Sequence, residues 1–372
     1  MRWDRGCKYL LGLLIGGVLA GCTTGTVDED VPEESRPVTV SFARPTLGMP
    51  EVVTRAETPA ALPAGATVRI CAYFTGILGE EAPVSAAFAT TKPSFEATYV
   101  VGADGALSPC RVDANGLMTG ADNAGQLTVR GGIYDFYAVS PARALVEDAD
   151  GNYKITGIPH KEDVMTSTVR NVSISKDSYE VTLGTFQRKC ALVVFNVAPA
   201  ADNVLEFTTL KGMRLVVRRL ASPGAGLVAG SDTQIPAGSA ESADADATVT
   251  FASGDFVPVE AGSDPKGIGL NKTKSILLPK NGDPFEVEIE VVRNKETVTL
   301  KATIDKNITF DEGKRYVFTL RVKDNVSTLD MSVQAWKPIV FTDANVGAPD
   351  TPYPTDPDIT GGTPVVLAEW KN

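Results

Sequence analysis

The sequence predicts an all-β chain folded as β-sandwiches. Three observations predict it. Apolar residues alternate with polar ones at a period of two in run after run. Glycine and proline, 34 and 24 of the 372 residues, recur between those runs. No segment carries the 3.6-residue periodicity of an amphipathic helix. Alternation of this kind marks strands with one buried face, and Gly and Pro supply the turns between them.

The elements follow in chain order. Arg2, Arg5 and Lys8 precede an apolar run, Tyr9 to Leu19, that is broken only by glycines. It is too short to cross a bilayer as a helix. Leu19-Ala20-Gly21-Cys22 then closes it. Small residues end an ordinary secretory signal, and the cysteine placed directly after them resembles a bacterial lipobox. Residues 1–21 are therefore expected to be a signal peptide, cut before Cys22, with a diacylglycerol on the Cys22 sulfur. Each acyl methylene buried in lipid contributes about 0.8 kcal/mol, so two or three chains anchor a protein stably. Residues 22–37 are polar and acidic, with Asp28-Glu29-Asp30 and Glu33-Glu34, and are expected to form a tether. An acidic stretch after the lipidated cysteine also resembles the surface-export signal of Bacteroidetes lipoproteins.

Beyond the tether the pattern is strand, turn, strand. Val38, Val40 and Phe42 alternate, as do Val68, Ile70, Ala72 and Phe74. Gly131 to Val139 is an aromatic-rich strand. Ala191 to Val197 is a continuous apolar run, as in a strand buried on both faces. The plainest hairpin has Phe285, Val287, Ile289 and Val291 facing one way and Glu286, Glu288 and Glu290 the other. It turns at Asn294-Lys295 and returns through Val298, Leu300, Ala302 and Ile304. Tyr316 to Val322 and Leu329 to Ala335 alternate in the same way. A boundary near 184–190 divides the chain into a first domain, 38–186, and a second, 187–346, each of ordinary domain size. Residues 221–247, rich in Gly, Ala, Ser and Asp, are expected to be a long surface loop. Residues 347–372 hold Pro349, Pro352, Pro354, Pro357 and Pro364, then the apolar segment Val365-Val366-Leu367-Ala368-Glu369-Trp370. This is expected to be an extended linker followed by a strand.

Charge and chemistry exclude several classes. The net charge is −11, and loss of a leader carrying net +2 makes the remainder more acidic still. Such a surface argues against nucleic acid and against anionic membranes as partners. After Cys7 leaves and Cys22 is acylated, Cys71, Cys110 and Cys190 remain, without metal-type spacing, and read as buried small hydrophobes, with one disulfide among the three left open. His160 is the single histidine. It lies in Ile158-Pro159-His160-Lys161, which reads as an exposed turn at a strand end. Ser-His or Cys-His catalysis finds little support there, and zinc sites need more ligands. Asp148-Ala149-Asp150-Gly151-Asn152 lacks the glycine and glutamate positions of a calcium loop and reads as a polar hairpin turn. Gly224-Ala225-Gly226 has no strand-and-helix context for a nucleotide site. No catalytic residue, metal or cofactor is expected.

Several segments together resemble the fimbrillin family, subunits of type V pili in Bacteroidales, and related surface lipoproteins. They are the lipobox and tether, Pro37 to Phe42, Thr54-Arg55-Ala56, Val68 to Phe74, and above all Gly132-Ile133-Tyr134-Asp135-Phe136-Tyr137-Ala138-Val139-Ser140-Pro141. Gln187 to Val197, Ile276-Leu277-Leu278-Pro279 and Phe310 to Leu320, with a strand ending at Trp336, complete the set. The resemblance implies two transthyretin-like β-sandwich domains in tandem and no enzymatic activity. It also implies assembly by donor-strand exchange. An arginine-specific protease would cut at Arg55-Ala56, releasing the strand Val38, Val40, Phe42. The C-terminal strand of a neighbour, Val365, Val366, Leu367, Ala368 and Trp370, would then fill the groove. Arg44 is a poorer cut because Pro45 follows it. The partners implied are other fimbrial subunits in a homo- or heteropolymer, the bilayer through acylated Cys22, and a host or bacterial surface ligand. The place implied is the outer membrane surface, and the fimbrium after processing. The alternative is a permanently lipid-anchored surface lipoprotein, as a pilus anchor or a monomeric ligand-binding adhesin.

Overall fold

The computed structural model describes residues 36–47, 61–79, 83–199, 210–221, 226–231, 247–258, 268–270, 276–280, 282, 284–293, 296–304, 308–322, 327–335 and 365–370. These form twenty-five strands and one short 3-10 turn, Ser253–Asp255. In the first half the strands are β1 (Pro37–Thr39), β2 (Ser41–Phe42), β3 (Thr67–Gly76), β4 (Phe95–Val101), β5 (Leu107–Val112), β6 (Met118–Ala121) and β7 (Thr128–Arg130). Next come β8 (Gly132–Ser140), β9 (Val146–Glu147), β10 (Tyr153–Ile155), β11 (Met165–Ile174), β12 (Glu180–Val181) and β13 (Gln187–Arg188). The second half has β14 (Ala191–Pro199), β15 (Leu210–Arg218), β16 (Leu227–Val228), β17 (Val249–Ala252), β18 (Phe256–Pro258), β19 (Ile268–Leu270) and β20 (Ile276–Leu277). It ends with β21 (Phe285–Arg293), β22 (Glu296–Ile304), β23 (Lys314–Val322), β24 (Ser327–Ala335) and β25 (Val365–Trp370).

The first half is built on a seven-stranded sheet in the order β13-β11-β8-β3-β4-β5-β6, with every neighbouring pair antiparallel. Period-two geometry sends alternate side chains to opposite faces. From β3 and β8, Val68, Ile70, Ala72, Tyr134, Phe136 and Ala138 enter one core. Cys71, Tyr73, Tyr137 and Val139 enter another. The first of these cores is covered on its far side by two small pairs, β1 with β7 and β2 with β12. In the second half, the sheet β18-β19-β14-β23-β24-β25 faces the four-stranded sheet β17-β15-β21-β22 across a core rich in phenylalanine. The β21–β22 hairpin has the expected register, from Phe285 opposite Ile304 to Arg293 opposite Glu296. Ala191, Val193, Phe195 and Val197 of β14 face this core, while Leu192 and Val194 face the cluster that holds Tyr73 and Tyr137. The continuous apolar run is therefore buried on both faces.

The two halves share that last cluster and exchange segments through it. Residues around β16 are not the surface loop expected from their composition. Leu227 and Ala229 are buried, and β16 pairs with β10 of the first half. Gly226 has a positive φ, and a Cβ there would run into the Ile155 carbonyl, so only glycine suits this approach. Small residues hid this contact from a reading by composition, because close backbone approach and loop flexibility select the same residue types.

In return, the turn 159–161 enters the second half. His160 is not the exposed turn residue expected. Its Nε2 lies 2.8 Å from the Ala221 carbonyl, and the Leu278 N–H donates to its Nδ1 at 3.1 Å. These partners fix the neutral tautomer with the proton on Nε2. Lys161 N–H donates to the Ile276 carbonyl (2.6 Å), its Nζ to the Thr250 carbonyl (2.8 Å), and the ammonium lies over the Phe251 ring. Ion pairs flank the connection between the halves, and one of them, Lys189–Glu312, crosses it. Arg188 bonds Asp163 at 2.9 Å, Lys189 bonds Glu312 at 3.0 Å, and Arg143 grips Glu162 with both fork nitrogens at 2.6 and 2.7 Å.

Burial holds the His160 imidazole down from 6.5 to about 4. Its folded value lies below its unfolded value, so the stability it contributes is full above about pH 6.5. That stability is lost as pH falls from there toward about 4, because the unfolded chain takes up the proton first. A proton on Nδ1 would also face the Leu278 N–H. The loss should be on the order of 3 kcal/mol. Urea titrations of the native chain and a His160→Asn variant between pH 7 and pH 4 check this. The variant should lose less stability over that range than the native chain, and equal slopes would rule the effect out.

Candidate functional site

The residues with a case for function are those that hold the first strand. What sequence alone suggested as one strand from Val38 to Phe42 is two. β1 pairs antiparallel with β7, Val38 opposite Val129, and β2 pairs parallel with β12. The change of partner falls at Val40, whose N–H donates to the Leu127 carbonyl (2.9 Å). Ser41 N–H donates to the Tyr179 carbonyl (3.0 Å) and Ala43 N–H to the Val181 carbonyl (2.9 Å). Val38 and Val40 are buried in the first core. Phe42 is partly buried and meets Tyr99 and Phe136 edge to face, with ring centroids 5.4 and 6.1 Å away. The Tyr99 hydroxyl accepts the Leu127 N–H at 2.8 Å, so the aromatic that receives Phe42 is itself fixed to the cradle.

The segment extends further than the sequence showed. Leu47 is 1 % exposed and belongs to the same core. It sits beside Phe186 in a parallel bridge, and the Phe186 N–H donates to the Thr46 carbonyl at 2.8 Å. Leu47 follows Pro45-Thr46 outside any alternating run, so no periodic signal announced it. Thr46 is bridged to Ala61, and Leu62 N–H donates to the Pro45 carbonyl at 3.2 Å. Residues 45–47 and 61–62 are therefore neighbours in space. Arg55 and Ala56 lie between them in sequence, outside the described residues, and Cys22 lies outside the described residues too.

Val365 to Trp370 form β25, which pairs antiparallel with β24 of the same chain. Trp370 stands opposite Ser327 and Val365 opposite Met331. Its backbone also runs beside β22. The ladder is irregular. Ala368 faces Leu329 and Val366 faces Asp330, leaving Leu367 bulged out between them.

The remaining candidates settle into structural roles. Cys71, Cys110 and Cys190 are buried and free. Burial beside Glu96 pushes the Cys71 thiol up to about 12, and burial pushes Cys190 up as well, so neither is poised as a nucleophile. Both ring nitrogens of His160 are taken by backbone groups. Asp148 to Asn152 is the turn of the β9–β10 pair, with the Asp148 carboxylate accepting the Asp150 and Asn152 N–H groups. Among the described residues no cluster of His, Cys, Asp or Glu could hold a metal ion.

Fold and cradle together define an all-β protein whose first strands are inserted, by short pairings, into a core built by the rest of the chain. The family model described as fimbrillin-like matches residues 80–336, and the chain belongs to that family. No curated protein sequence matches it. Among solved structures, it is similar to a candidate cell adhesion protein of Bacteroides fragilis. That pair is 16 % identical over 82 % of this chain and 100 % of the other, with a TM-score of 0.51. A candidate cell adhesion protein of Bacteroides ovatus is 15 % identical over 82 % and 99 %, with a TM-score of 0.48. The tip fimbrial protein of Porphyromonas gingivalis, in a C-terminally truncated form, is 9 % identical over 73 % and 95 %, with a TM-score of 0.34.

Proposed function

We propose that this chain is a structural subunit, stalk or tip, of a cell-surface fimbria that serves adhesion. It is exported as a lipoprotein acylated on Cys22, cut between Arg55 and Ala56, and assembled by donor-strand exchange. Two transthyretin-like sandwiches, 38–186 and 187–346, form its body. Membership of the fimbrillin-like family supports a fimbrial or adhesive role at the cell surface. The observation that carries the finer reading is the seating of residues 36–47. Four apolar side chains, Val38, Val40, Phe42 and Leu47, enter the core from a segment held by a few main-chain bonds. Its connection to the rest of the chain runs through Arg55. Removing such a segment opens a strand-shaped groove with unpaired main-chain groups, which a strand from another subunit can fill.

Mass spectrometry of the N-terminus of protein sheared from cells tests this. Mature chains should begin at Ala56. Chains that still carry an acylated Cys22 and residues 36–47 would have no vacated groove. The pairing of β25 with its own β24 favours a second reading, a permanently anchored lipoprotein with both ends closed on itself. The same measurement separates the two.

A further inference from the structure

We propose a register for the exchange, a reading that rests on the donor-strand mechanism above. The C-terminal strand of a second copy enters the vacated cradle in the same chain direction as the segment it replaces. Val366 takes the place of Val38, Ala368 that of Val40, and Trp370 that of Phe42.

The length of the connection gives the first argument. Val365 pairs with Met331, four residues before β24 ends at Ala335. A direct return between such neighbours takes about 2–5 residues. Residues 336–364 intervene instead, twenty-nine of them. Fully extended, they reach on the order of 100 Å, far more than pairing within the chain requires. At Leu367 the pairing with β24 shifts register, as other ladders of this fold do.

Side-chain pattern sets the phase. The tail offers two alternating sets, Val365, Leu367 and Glu369 or Val366, Ala368 and Trp370. The first turns a carboxylate into the apolar cradle, at a heavy desolvation cost. The second is wholly apolar and repeats the order of the leaving segment, two smaller residues and then an aromatic. Direction follows from the pockets. Phe42 is only partly buried between Tyr99 and Phe136, so a larger indole fits there with its N–H toward water. Reversed, Trp370 would have to occupy the place of Val38, opposite Val129, where a valine is buried now. The main chain agrees. Val40, Ser41 and Ala43 donate to Leu127, Tyr179 and Val181, and their counterparts Ala368, Glu369 and Lys371 all have an N–H to give. Pro364 falls ahead of the first of these bonds.

Full-length chain carrying the photoreactive residue p-benzoylphenylalanine in place of Trp370 tests the register. The protein is cut after Arg55 with an arginine-specific protease, irradiated during assembly and mapped by mass spectrometry. Cross-links to Tyr99 and Phe136 of a second copy are expected. Cross-links between copies at Thr128 or Val129 would overturn the direction while leaving donor-strand exchange standing. Cross-links confined to the strand's own chain, at β24 or β22, would overturn both. Without the photoreactive residue, Trp370→Glu should reduce polymer about tenfold or more. Leu367→Glu should change it by no more than about twofold, and equal losses would overturn the phase.

Discussion

Replacing Asp135 by alanine is expected to destabilise the chain by about 3 kcal/mol. Asp135 sits in the aromatic strand β8 with no exposed surface. Its carboxylate accepts the Ala86 N–H (2.8 Å), the Asn171 N–H (2.8 Å) and Arg170 Nη1 (2.8 Å). It thereby ties the loop before β4 and the irregularity in β11, between Val169 and Val172, to the central strand. Alanine leaves a cavity and strands two main-chain donors. Asparagine keeps the volume but turns an amide against one of those donors, so it should lose roughly half as much. Arg170→Met removes the bonds to Asp135 and to the Ala86 carbonyl and the stacking over Phe88, all from a side chain 42 % exposed, and should be the mildest. Urea denaturation of the three variants checks the order. Equal stability of Asp135→Ala and the native chain would mean that the carboxylate holds nothing.

Cutting the purified chain after Arg55 and removing the released segment should have a larger effect. Val38, Val40, Phe42 and Leu47 leave the core together. At about 1.5–3 kcal/mol for each side chain, the gross loss is roughly 6–12 kcal/mol, comparable to the whole stability of many domains. The stripped protein should melt well below the cut but unstripped protein, and should aggregate through its open groove. Adding a synthetic peptide of residues 36–47 should restore the original melting temperature as its concentration rises. An unchanged melt after stripping would show that the segment is no part of the core.

Much of the architecture was legible because strand signals are local. The runs at 68–74, 131–139, 191–197 and 285–304 announced β3, β8, β14 and the β21–β22 hairpin, since a buried face imposes period two whatever lies opposite it. Burial of β14 on both faces was readable from its apolar run, interrupted only by Asn196. Contacts between distant segments were not. His160 is a polar residue in a Pro-containing turn, and nothing near it in sequence reveals that Ala221 and Leu278 supply its partners. Leu227 lies in a Gly- and Ala-rich stretch, where composition points to a loop while topology makes a strand. Of the cradle, Val38, Val40 and Phe42 were visible by alternation. Leu47, Tyr99 and Leu127 depend on the fold to bring them there.

The exchange of segments between the halves has a geometric consequence. Each half places a piece of itself inside the other, and the Lys189–Glu312 pair spans the link between them. Such a junction has no hinge. The direction in which a strand lies in the cradle near Phe42 is therefore fixed relative to the point at Ala335 where the chain departs toward its tail. In any filament joined through these two places, each subunit would act as a rigid link of set angle. The rise and twist of the whole would then be written into the interior of one chain.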